Sequence, residues 1–178
     1  NDAIREFADN FSSEKIVNEF HTYITEVEGT NYLQVARINT LEIFSKKDSK
    51  SILWDLITLP DVIIELRTPV EYTYYIDLKG KWDITLNKAD SSLVIIAPSI
   101  QYNNPAIDIS KLEITEKKTS FIRDIDQVKE DLRRELTQKL KISADKKIST
   151  IREIARDEVK SYFTNWIIHF YREQNYIN

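Results

Sequence analysis

DIDQVKEDLRRELTQKLKISADKKISTIREIARDEVKSYFTNWIIHFY (Asp124–Tyr171) contains neither proline nor glycine, and its apolar residues recur every three or four positions. Ile125, Val128, Leu132, Leu136, Leu140 and Ala144 lead into Ile148, Ile151, Ala155, Val159, Tyr162, Trp166 and Phe170, a single stripe on a helical surface. Asp124 is placed to cap the first turn, with Gln127 at capping-box spacing. Unbroken, such a helix would measure about 70 Å, against about 40 Å for a compact chain of this size. It therefore either projects from the body or bends back in two pieces, and the predicted break is at Lys141–Asp145, where Ser143 is placed to cap a second helix. The opposite face pairs Glu130 with Arg134 and Glu135 with Lys139 in the acid-first i,i+4 order of a solvated helix.

Upstream the period changes from 3.6 to 2. Val70, Tyr72, Tyr74, Ile76 and Leu78 alternate with Glu71, Thr73, Tyr75, Asp77 and Lys79; after Lys79-Gly80-Lys81, Trp82, Ile84 and Leu86 alternate with Asp83, Thr85 and Asn87. This spacing predicts a β-hairpin with one apolar and one wet face. Tyr32–Phe44 is strand-like and Ser45–Lys50 a polar loop, while Ile52–Leu59 reads as strand or turn around Trp54. Val62–Thr68 starts a strand that Pro69 should interrupt, at an edge or a bulge. The apolar run Leu93–Ala97 fits a central strand buried on both sides, ended by Pro98. Ile107–Thr115 is a last strand with a bulge near Ser110-Lys111. Two amphipathic helices, Asp2–Phe11 and one from Glu14 stopped by Gly29, precede the strands.

Strands followed by helices indicate an α+β fold. The expectation is an antiparallel β meander of five or six strands, with N-terminal helices over 1–29, the sheet body over 30–116 and a C-terminal helical segment over 117–178, packed on the sheet as one domain.

Composition removes several function classes. The 178 residues carry a net charge of −4, which argues against unspecific binding to nucleic acid or to an anionic membrane surface. No cysteine is present, so thiol catalysis and thiolate metal sites are excluded. Two glycines cannot supply a P-loop or a G-x-G-x-x-G turn, and His21 and His169 form no H-x-x-x-H pair. No cofactor or metal is expected. The chain opens at Asn1 and contains no methionine, which suggests a fragment whose leading segment, a signal peptide or membrane anchor, lies upstream.

The stretches VIIELRTPVEYTYYIDLKGKWDITL (Val62–Leu86), SSLVIIAPSIQYNNPAIDISKLEI (Ser91–Ile114) and FTNWI (Phe163–Ile167) resemble the bacterial family catalogued as domain of unknown function 4230. The resemblance implies an extracytoplasmic or membrane-anchored β domain with trailing helices and supplies no catalytic residue. Membrane contact is then expected only through an upstream anchor.

What the residues leave is a non-catalytic binding or assembly module, with a protein partner or self-association through the C-terminal helices. Tyr162, Trp166 and Phe170 are the candidate contacts, because aromatic rings suit both packing and recognition. The alternative is a carbohydrate- or ligand-binding domain or hydrolase. It would use Glu71, Tyr75, Asp77 and Asp83 on the wet face of the hairpin, where Asp77 and Asp83 would approach each other across the strands. Asp55, Asp61 and Asp108 read as turn and loop residues.

Overall fold

A computed structural model describes residues 12–26, 31–52, 55–90 and 92–176. The expected helix over Asp2–Phe11, the stop at Gly29 and the placement of Trp54 lie outside the described residues. The order is α1 (Ser13–Glu26), β1 (Tyr32–Asp48), β2 (Ser51–Ile52), β3 (Ile57–Thr58), β4 (Val62–Asp77), β5 (Asp83–Asn87), β6 (Ser92–Ile96), β7 (Gln101–Tyr102), β8 (Ala106–Ile107), β9 (Glu113–Lys118) and α2 (Ile125–Tyr176). This is the α+β arrangement expected, with the antiparallel strands ahead of one long helix.

Residues cluster into two compact units, one of Asn1–Ala36, Tyr74–Gln101 and Thr150–Asn178, the other of Arg37–Thr73 and Tyr102–Ser149. In the five-stranded sheet β1 and β7 flank β4, and β8 and β9 also pair with β4. The β9 ladder is antiparallel, with Leu66 opposite Ile114, and its register shifts between Ile63 and Ile64. Val70 faces Ile107 of β8. Along β4 every even-numbered residue from Val62 to Ile76 is buried and every odd one is half-buried, so the alternation read over Val70–Leu78 extends through the whole strand.

In the second unit two ion pairs join α2 to its strands, Lys46 Nζ to Glu135 at 2.5 Å and Lys129 Nζ to Glu116 at 2.5 Å. Arg123 is buried before α2, its guanidinium donating to the Pro60 carbonyl at 2.9 Å and to the Asp48 carboxylate. In the first unit Phe20 of α1 is fully buried in an aromatic cluster, with ring centroids 4.4 Å from Phe163, 5.2 Å from Trp166 and 5.4 Å from Trp82.

Several expectations are corrected. The helix does not break near Ser143: α2 is continuous, and without Gly or Pro its backbone bonds have no reason to stop there. Asp124 does cap it, accepting from Gln127 N at 3.0 Å, but the Gln127 amide donates forward to Asp131 instead of closing a capping box. Glu135 meets Lys139 as expected, at 3.7 Å, whereas Arg134 pairs with Asp131 and Glu130 with Arg133. The expected loop Ser45–Lys50 begins only after Asp48, because Lys46 and Asp48 are held by Glu135 and Arg123. Pro69 neither interrupts β4 nor marks an edge strand. It lies between the residues paired with β9 and those paired with β8, opposite the 3-10 turn Ile109–Lys111 that stands where a bulge was expected.

The pairing of the hairpin is the largest correction. β5 pairs with β6, Thr85 opposite Val94, in a two-stranded sheet separate from β4. The tight turns that join twisted strands need positive φ, which Gly80 does not have. Instead Asp77 accepts from Lys79 N at 2.9 Å, and the Trp82 indole donates to the Leu78 carbonyl at 3.0 Å, which turns the chain away from β4. β6 is accordingly no central strand: Val94 and Ile96 are 53% and 59% exposed. Asp55, Asp61 and Asp108 are turn and loop residues as read, Asp55 at φ 70° between β2 and β3.

A β-carbon on Gly80 would stand 2.7 Å from the Pro98 ring, whose rigid atoms cannot swing aside. Gly80→Ala should destabilise the protein by about 1–3 kcal/mol, read as a lower midpoint in urea with the slope unchanged.

Candidate functional site

The wet-face candidates do not assemble into one carboxylate pair. Glu71 is 3.8 Å from the Arg37 guanidinium in a half-exposed contact of little energetic worth. Tyr75 packs its ring 5.2 Å from that of Tyr32, and the Asp77 carboxylate closes the turn at Lys79. Asp83 is exposed on β5, opposite Ile96 of β6. Of the aromatic candidates, Trp166 and Phe170 are buried and stack at 5.7 Å, and Tyr162 is half-buried with its ring 6.2 Å from Phe163. These rings serve the core of the first unit.

Two arrangements were not legible in advance. The first lies in the second unit, around Glu42 of β1. Its Oε1 accepts from the Tyr72 hydroxyl at 3.0 Å, the Ser143 hydroxyl at 2.9 Å and Lys147 Nζ at 2.6 Å. Lys147 also donates to Ser143 Oγ at 2.9 Å and sits 5.0 Å over the Tyr72 ring. A serine hydroxyl beside a lysine amine can be a nucleophile and its base, but only if the amine is neutral. Here the Glu42 carboxylate faces the amine and also accepts the hydrogen bond of the Ser143 hydroxyl, so the group is a structural clasp. Burial pushes the Glu42 carboxyl up, and the hydrogen bonds from Lys147, Ser143 and Tyr72 outweigh it, holding the group below the usual carboxylate range.

The second lies in the first unit, where α2 runs beside the β5–β6 hairpin. A half-open groove of about 860 Å³ runs along one i,i+4 row of α2: Ala155, Val159 and Phe163 beneath it are buried, and its open apolar surface comes from Ile167 of α2 and from Leu93, Ile95 and Ile96 of β6. Arg152, Arg156 and Lys160 form the neighbouring row on its rim. Leu93 and Ile95 of β6, with Ile76 and Pro98, complete the apolar wall. No carboxylate lines the groove among the described residues, and the nearest ion pair, Arg156 Nη1 to Glu153 at 2.5 Å, is exposed. The clue in the sequence was the width of the apolar face: Phe163 and Ile167 stand beside the stripe that ends in Tyr162, Trp166 and Phe170, so this part of α2 is apolar on two rows.

Among the described residues no group of three or more His, Asp or Glu side chains is placed to hold a metal ion. The described residues thus form an α+β fold that carries, in its first unit, a groove with an apolar wall and a basic rim. The chain belongs to the family described as protein of unknown function (DUF4230), whose model matches residues 25–172. No curated protein and no solved structure matches it.

Because the folded pKa of Glu42 lies below its unfolded value, the clasp contributes stability that is present above the unfolded pKa and lost as pH falls through the folded one. Glu42→Gln should cost about 1–3 kcal/mol at neutral pH and flatten the acid limb of the stability curve, measured by urea unfolding from pH 7 to pH 3.

Proposed function

We propose that this chain is a non-catalytic binding module that engages its partner through the groove beside α2. The supporting observation is the pairing of an apolar wall with a rim of three cations, Arg152, Arg156 and Lys160, of which Arg156 also meets the exposed Glu153, with no acid among the lining residues. Apolar surface left open in a folded domain marks interaction sites, and fixed charges at its edge give orientation. The partner contact through the C-terminal helix is therefore proposed along Arg152–Ile167, beside the buried Trp166 and Phe170 instead of through them. The hydrolase alternative has less support, since Asp77 closes a turn and Asp83 belongs to another strand pair. A bacterial, extracytoplasmic or membrane-anchored setting is part of the proposal on the family resemblance alone. No helix of the described residues is long and apolar enough to cross a membrane. Fractionation of the producing cell checks that setting.

An anionic naphthalene-sulfonate dye offers both features the groove selects. The folded chain should bind it saturably, and Arg152→Glu with Lys160→Glu should weaken binding at least about tenfold, while Asp77→Asn and Asp83→Asn leave it unchanged. A folded chain that does not bind the dye would overturn the reading.

A further inference from the structure

The groove has a polar edge as well as an apolar wall, and that edge tells a peptide from a lipid. The Leu86 amide donates to Ser13 Oγ at 2.9 Å, so it points away from β6. Leu86 faces Leu93 in the register, and Ile84 faces Ile95. In an antiparallel ladder residues whose main chain points away from the partner alternate with those bonded to it. The N–H and C=O groups of Leu93 and Ile95 are therefore directed away from β5, along the free edge of β6, and both residues line the groove. β6 pairs only with β5 among the described strands. Its sequence, Ser92–Ile96, has none of the charges or prolines that usually blunt such an edge. A lipid chain in the groove would cover these donors and acceptors without bonding them, at a cost in free energy. An added strand would bond them.

We propose that the groove accepts an extended segment of a partner protein by β-strand addition to β6, and that this segment alternates acidic and apolar residues. The inference rests on the binding-module reading and names its ligand. Arg152, Arg156 and Lys160 follow one another every four helical residues, about 6 Å apart. Alternate side chains on one face of a strand are separated by about 6.8 Å. A segment lying along α2 can thus offer carboxylates to Arg152 and Lys160, and to Arg156 in place of Glu153, while its main chain completes the edge of β6 and its apolar residues cover Val94 on the other face. A second copy of β6 fits less well, because Ser92–Ile96 contains no acid to meet the rim. The mode is main-chain bonding for affinity and side-chain charge for selectivity.

The test uses the intact chain and a fluorescent Glu-Val-Glu-Val-Glu-Val peptide with blocked ends, followed by polarisation and by displacement of the naphthalene-sulfonate dye. Two methylated forms carry N-methyl groups on one or the other alternate set of residues, since only one set can face β6. The expected result is saturable binding that weakens at least about tenfold on one methylated set and not the other, and as much in Arg152→Glu with Lys160→Glu or with lysine in place of glutamate in the peptide. Equal tolerance of both methylated sets, or dye displacement by dodecyl phosphate and not by the peptide, would overturn strand addition while leaving the binding module standing. A chain that takes up neither dye nor peptide would overturn both.

Discussion

Every second side chain of β4, from Val62 to Ile76, has to be kept from water, and this requirement organises the rest of the sheet. A strand this long buries its even face only if something covers it throughout. One unit holds Leu66 and Tyr72 of that face together with the buried row Leu132, Leu136 and Leu140 of α2; the other holds Tyr74 and Ile76 together with the buried Phe20 and Phe163. At about 1.5–3 kcal/mol for each fully buried large apolar side chain, the even face of β4 is the largest single source of hydrophobic stabilisation in a strand of this chain. The shorter strands follow from it. β7, β8 and β9 each pair with a short length of β4.

What was legible in the sequence is what is local. The alternation of β4, the stripe of α2 and the Asp124 cap depend on spacing alone, and each is found where the spacing puts it. What was not legible is pairing at a distance. Trp82–Leu86 alternates as a hairpin return strand should, yet whether it pairs back on β4 or forward on β6 depends on the backbone angle at Gly80 and on the indole bond to Leu78, which the alternation does not encode. The run Leu93–Ala97 misled for a related reason: continuous apolarity suits a buried strand, but it equally suits an edge whose outer residues are left open beside a groove. The Glu42 clasp gathers Tyr72, Ser143 and Lys147, up to 105 positions away, and no spacing rule connects them.

The two polar arrangements do opposite work. Around Glu42 the Tyr72 and Ser143 hydroxyls and the Lys147 amine converge on one carboxylate oxygen, so the charges are answered within the protein. At the rim of the groove Arg152 and Lys160 have no carboxylate among the described lining residues, and among the described strands β6 beside them is paired on one side only. Polarity that is not internally satisfied, next to apolar surface that is not internally covered, is what separates a binding face from a structural one.

Pro69 has one more consequence. A strand that alternates as evenly as β4 is nearly degenerate: sliding it by two residues against its neighbours returns apolar side chains to apolar positions, and burial alone would not notice. The proline notices. In the native register it occupies the gap between the β9 and β8 ladders; a two-residue slip in either direction would carry it to the place now held by Arg67 or Glu71, both of which have a partner residue across the ladder. The imino ring thus acts as an alignment key, excluding mispaired sheets that hydrophobicity would accept, and it does so without adding a contact to the native one.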